Sequence, residues 1–133
     1  MKKVIFMVLV FSSCSYQKIT RESHKVECLK MIEYVNDKWK VHKSLALYRI
    51  TKPTDFINSI NTTYKECFYS LEYNEIKRIL GKPNEEIKNE YLVYFIDKNC
   101  LGDKLTCVSL VISFHNDTGY PLYISMNKSY SSH

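Results

Sequence analysis

Glycine and proline are scarce, three of each in 133 residues. With 45% hydrophobic and 25% charged residues, the chain reads as one globular domain rather than a fibrous or disordered one. No Cys-x-x-Cys occurs, and the four histidines (His24, His42, His115, His133) stand at no ligand spacing, so neither a metal site nor a redox pair is expected. A glycine-rich phosphate loop is missing as well: Gly81-Lys82-Pro83 lacks the spacing and follows a helical pattern instead of opening one. Charge of one sign does not dominate. Nineteen Lys and Arg face fourteen Asp and Glu, a net +5 spread along the chain, which does not argue for nucleic acid.

What is present begins at the N-terminus. Met1-Lys2-Lys3 precedes an apolar run from Val4 to Phe11, too short for the roughly 17–25 residues a bilayer span requires. Positive start, short apolar centre and small residues before a cysteine form an export signal. Phe11-Ser12-Ser13-Cys14 resembles a bacterial lipobox, which implies cleavage of residues 1–13 and lipidation at Cys14. Residues 14–20 then read as a tether, 21–126 as a single domain and 127–133 as a polar tail. No later run is long enough to span a membrane, so lipid at the N-terminus is the only membrane contact expected.

Setting Cys14 aside leaves Cys28, Cys67, Cys100 and Cys107. An even number outside the cytoplasm points to two disulfides, with three possible connectivities. Cys100 and Cys107 bracket a loop between strand-like runs, and Cys28 and Cys67 lie on helical stripes, so 28–67 with 100–107 is the favoured pairing.

Hydrophobic periodicity predicts a long helix from Arg21 to about Leu47, with Cys28, Ile32, Val35, Trp39, His42 and Ala46 on one stripe. His42 is read there as a hydrogen-bonded boundary residue. Thr51-Lys52-Pro53 breaks the pattern. A second helix follows, capped by Thr54 or Asp55 and carrying Phe56, Ile57, Ile60, Tyr64 and Cys67 inward. A third runs from about Glu72 to Leu80, with Ser70 near its start, and Gly81-Lys82-Pro83 stops it. Glu85, Glu86 and Glu90 read as a solvated acidic loop.

Three strands come next. Tyr91–Ile96 is apolar on both faces. Leu105–Phe114 alternates, with Val108, Leu110, Ile112 and Phe114 on one side and Ser109, Val111 and Ser113 on the other. After a turn at residues 115–119, Tyr120–Met126 is placed at a sheet edge because Pro121 has no ladder donor. Fold class is therefore α+β, with two to three N-terminal helices on one face of a three-stranded antiparallel meander.

Residues 70–83, Ser-Leu-Glu-Tyr-Asn-Glu-Ile-Lys-Arg-Ile-Leu-Gly-Lys-Pro, are similar to the helix-to-loop signature of the SmpA/OmlA (BamE-like) family of small bacterial lipoproteins. The aromatic strand at Tyr91–Phe95, the run Leu110–Phe114 and Gly119 continue that resemblance to about residue 126. The unit also resembles repeats of the β-lactamase-inhibitor-protein fold. The resemblance implies this fold and a lipoprotein of the bacterial cell envelope; residues 15–18 carry no acid, unlike the acidic tag that sends some lipoproteins to the cell surface, so an outer-membrane anchor facing the periplasm is expected.

A nucleophile with a base, paired catalytic carboxylates and a cofactor motif are all lacking, so no enzymatic activity and no cofactor are expected. Asn61-Thr62-Thr63, Asn116-Asp117-Thr118 and Asn127-Lys128-Ser129 match a glycosylation pattern by chance in a bacterial chain. Tyr16, Tyr48, Tyr69, Tyr120, Tyr123 and Tyr130 exceed what a small core needs; packing within the sheet, which tyrosine favours, accounts for them, and exposed ones would favour a binding surface. Tyr91, Tyr94, Tyr120 and Tyr123 are the candidate binding residues, together with the stapled loop 98–104. The function expected is a lipid-anchored protein-binding scaffold or adaptor whose partner is another cell-envelope protein. The alternatives are an inhibitor or immunity protein against a toxin or enzyme, and a small ligand-binding or enzymatic envelope domain.

Overall fold

The computed structural model describes residues 25–45, 47–102 and 106–130. The signal sequence, Cys14 and the tether lie outside the described residues. Helix α1 covers residues 25–38, and the hairpin β1 (Lys40–His42) and β2 (Leu47–Arg49) follows it. Helices α2 (Pro53–Asn61), α3 (Lys65–Phe68) and α4 (Tyr73–Leu80) come next. Strands β3 (Glu85–Ile87), β4 (Tyr91–Phe95), β5 (Thr106–Phe114) and β6 (Pro121–Tyr130) form one antiparallel sheet in chain order. The fold is α+β.

The expected long helix to Leu47 is corrected. Cys28, Val35 and Trp39 keep the inward stripe, Met31 rather than the expected Ile32 is the fully buried residue between them, and the helix ends before Trp39, whose indole Nε1–H donates to Leu80 O at 2.8 Å. Beyond it Val41 pairs with Tyr48 in the hairpin, and a β-branched residue favours that extended backbone. His42 is half-buried with Nδ1 2.9 Å from Ser44 Oγ.

Pro53 takes the first position of α2, where its missing N–H costs nothing. Thr54 and Asp55 therefore lie inside the first turn rather than capping it, and Asp55 complements the positive helix end. The apolar stripe to Cys67 is broken after Asn61, where Thr62 leaves helical geometry and its hydroxyl bonds back to Asn58 O at 2.7 Å. At the start of α4 the cap is Glu72, not Ser70. The Glu72 N–H donates to the Glu75 carboxylate at 2.9 Å, while Ser70 Oγ–H donates to Cys67 O at 2.7 Å. Gly81 ends α4 at φ +89° and ψ −170°, a region essentially closed to other residues.

Two further expectations change. Instead of three strands the main sheet has four, because Glu85–Ile87 pairs with Tyr91–Val93 as an exposed edge strand rather than forming a loop. The last strand does not stop at Met126: residues 127–130 pair with 106–109 of β5. Pro121 sits on an edge strand, and the register shift beside it leaves Leu122 opposite no residue of β5.

Even-numbered residues of β4, β5 and the end of β6 face the helices. Leu92, Tyr94, Leu110, Ile112, Phe114 and Ile124 join Met31, Val35, Phe56, Ile60, Ile76 and Leu80 in the core. Both disulfides form, Cys28–Cys67 tying α1 to α3 and Cys100–Cys107 closing the turn before β5. Cross-links of this kind compensate for the small core of a domain this size.

Candidate functional site

Strand alternation splits the tyrosines between two environments. On the helix side, Trp39 packs against Tyr48, Phe56 and Tyr94 with ring centroids 4.6, 5.4 and 5.2 Å apart. The Tyr94 hydroxyl donates to Gly81 O at 3.0 Å, and the Tyr48 hydroxyl donates to Lys82 O. With the Trp39 indole on Leu80 O, three successive carbonyls at and just beyond the end of α4 receive side-chain donors, from the α1–β1 junction, β2 and β4. Burial raises the Tyr94 and Tyr48 phenols above their ordinary values, Tyr94 also through the neighbouring Tyr48. Tyr94 is fully buried and is thereby removed from the candidate binding set: its even position in β4 points it into the core.

Odd positions make the opposite face. One cross-strand row runs Ile87–Tyr91–Ser113–Tyr123, the next Glu85–Val93–Val111–Ser125, and a third Phe95–Ser109–Asn127. Tyr123 and Ile87 are 49% and 45% exposed, and Tyr91, Phe95 and Val111 are half-buried. Ser109 and Ser113 place small side chains on β5 between the rings of β4 and Tyr123, and Ser109 and Val93 are themselves buried. Among these residues Glu85 alone carries a charge. At one end Cys107 ties this face to the turn at residues 98–102, where Leu101 is exposed. Asp97 caps that turn through the Asn99 N–H at 3.0 Å. Residues 103–105 of the expected loop lie outside the described residues.

Tyr91 and Tyr123 are thus brought to one face, two strands apart across Ser113. Tyr120 is exposed in the turn before β6, beside Leu122. Sequence reading missed Ile87 and Leu122, whereas exposed Leu101 lies in the candidate loop. Pro121 next to a turn was the available signal for Leu122, since proline in a strand marks a bulge or edge.

Elsewhere, α4 meets the sheet through polar contacts. The Tyr73 hydroxyl donates to the Glu86 carboxylate, which also accepts from Lys77 Nζ at 2.9 Å. Hydrogen bonding to Tyr73, and next to Lys77, holds Glu86 below the usual carboxylate range, and burial followed by the carboxylate contact pushes the Tyr73 phenol up. Glu86 is exposed, as a solvated acid is expected to be, and also serves as an acceptor between β3 and α4. An open depression of about 320 Å³ between α1 and α2 is lined by Tyr34, Lys38, Thr51, Lys52, Asp55 and Phe56, among others. Among the described residues no group of three or more His, Cys, Asp or Glu side chains is placed to hold a metal. No described helix is long and apolar enough to cross a membrane.

No protein-family profile, curated protein or solved structure matches this chain.

Proposed function

We propose that this is a lipid-anchored, periplasm-facing protein-binding lipoprotein that holds another cell-envelope protein on the outer face of its main sheet. The observation that carries the reading is the aromatic, nearly uncharged face on which Ile87 and Tyr123 are exposed and Tyr91, Phe95 and Val111 half-buried. Rigid aromatic side chains contribute contact area at low entropic cost, which is why they dominate interface hot spots. Two cross-links support the exported location, since disulfides persist in oxidising compartments. The lipobox at residues 11–14 supports the anchor at Cys14. In this reading three strands of the sheet with the helices on one side correspond to the SmpA/OmlA-like arrangement, β3 and the hairpin being additions. No enzymatic step and no cofactor enter it.

Site-specific photocrosslinking in intact cells tests it. A crosslinker at Tyr123 or Tyr91 is expected to trap one defined envelope protein, and a crosslinker at exposed Asn36 on α1 is not. Identical adducts from all three positions, or none from the sheet face, overturn the reading. Mass spectrometry is expected to find acyl mass on Cys14, and a cytosolic chain with an intact N-terminus overturns the anchor.

A further inference from the structure

We infer that the exposed side of the first two described turns of α1, residues 25–31, is a membrane-docking surface that rests on anionic phospholipid headgroups, an inference that rests on the lipid-anchored reading above.

The solvent side of a surface helix is ordinarily polar. Here Val26 and Leu29 are 50% and 55% exposed, and at a spacing of three they are neighbours on that side. At 100° per residue Lys25 and Lys30 bracket the pair on the same side, so their stems can lie along the acyl boundary while their ammonium groups reach phosphates. Glu33 and Asp37 follow on that side only further along, so apolar and basic residues are kept to the end nearer the N-terminus. Glu27 lies around the helix from the pair, toward the α3 residue Glu66, with which it lines a separate depression. On the inner side Cys28 is bonded to Cys67, so this end of α1 is clamped to the domain. Two exposed apolar residues alone would need no explanation.

Their position in the chain supplies the occupant. Lys25 follows Cys14 by eleven residues, a reach of at most about 40 Å when fully extended. Along that stretch Lys18 and Arg21 outnumber Glu22. A domain anchored at Cys14 therefore presents this end of α1 to the bilayer it is attached to, and basic residues near an anionic surface strengthen attachment about fivefold each.

The test uses the whole processed protein, extracted with its anchor and reconstituted into vesicles of brominated phosphatidylcholine, with and without phosphatidylglycerol. Leu29→Trp and Asn36→Trp place an indole on the same helix side about 10 Å apart, and buried Trp39 gives both the same background. Emission from Leu29→Trp is expected to be quenched more strongly than from Asn36→Trp, more so with phosphatidylglycerol, and less once Lys25→Gln and Lys30→Gln are added. Equal quenching at both positions in an acylated chain overturns the docking surface and leaves the anchor intact. Selective quenching of Leu29→Trp in a chain without acyl mass overturns the anchor and supports the surface.

Discussion

Tyr94 and Tyr91 belong to the same short strand, yet one is fully buried with its hydroxyl on Gly81 O and the other lies on the open face. Parity within the strand decides between them. On the inner face the side-chain donors of Trp39, Tyr48 and Tyr94 meet the carbonyls of Leu80, Lys82 and Gly81 at the end of α4. On the outer face Tyr123 is exposed and Tyr91 and Phe95 are half-buried, with no hydroxyl closing onto the helices as that of Tyr94 does. An identical residue type thus closes the fold in one region and leaves contact area free in the other. The inner region is expected to govern stability and the outer one association.

Trp39→Ala should separate the two most sharply. It removes a ring packed against three others and strips Leu80 O of its donor. Loss of about 3–5 kcal/mol is expected in urea denaturation. Tyr123→Ser, on the outer face, should stay within about 0.5 kcal/mol of the parent while abolishing the envelope crosslink. Similar stability losses for both would erase the distinction between the faces.

Removing the disulfides should rank them by loop length. Cys28–Cys67 spans 39 residues and Cys100–Cys107 spans 7. The chain-entropy relation gives losses of about 4 kcal/mol for Cys28→Ser with Cys67→Ser, and about 2.5 kcal/mol for Cys100→Ser with Cys107→Ser. The first pair clamps the helical layer onto the core; the second shapes the edge of the outer face, so it should also weaken crosslinking at Tyr123. The reverse order in chemical denaturation would assign the 100–107 turn to the core.

Gly81→Ala probes the same carbonyl cluster from the backbone. A Cβ there would meet Tyr48 Oη at 3.8 Å, an ordinary contact, so space is not the obstacle. The cost lies in φ +89° with ψ −170° and should reach about 1–3 kcal/mol in thermal or urea unfolding. A neutral result would mean that α4 can end in another conformation without losing the three donors.

The inner face was largely legible in the residues. Alternation in Leu105–Phe114, the glycine-proline stop after Leu80 and the stripe through Cys28, Val35 and Trp39 each follow from local rules. The end of α1 was not legible, because no glycine or proline marks it. Trp39 leaves the helix to reach Leu80 O, and Tyr48 holds the hairpin by donating to Lys82 O; both partners lie more than thirty residues away. Tyr94 was misassigned to the surface because Tyr91–Ile96 is apolar at every position, so periodicity could not tell the core side from the open one. β3 was hidden by its acidic composition. Glu86 is acceptable in a strand there because it is an edge residue with a phenol and an ammonium group to meet.

That last contact gives the smallest effect, and pH resolves it. Glu86 is held below the usual carboxylate range first by the Tyr73 hydroxyl and then by Lys77. A depressed folded value means that the contribution is fully present above the unfolded value of about 4.3 and is lost as pH falls through the folded one. Glu86→Gln should therefore lower Tm slightly and evenly from pH 7 down to about 5, and the gap to the parent should close below about pH 4. At the alkaline end the sign reverses. Burial and the Glu86 carboxylate raise the Tyr73 phenol, so its contribution holds below about pH 10 and declines above it as the unfolded phenol ionises. Glu86→Gln removes only the carboxylate share, so the alkaline decline should soften without disappearing. A gap between the two proteins that stays constant from pH 3 to pH 7 would mean that Tyr73 and Lys77 do not hold this carboxylate, and that β3 is fastened to the sheet by its ladder with β4 alone.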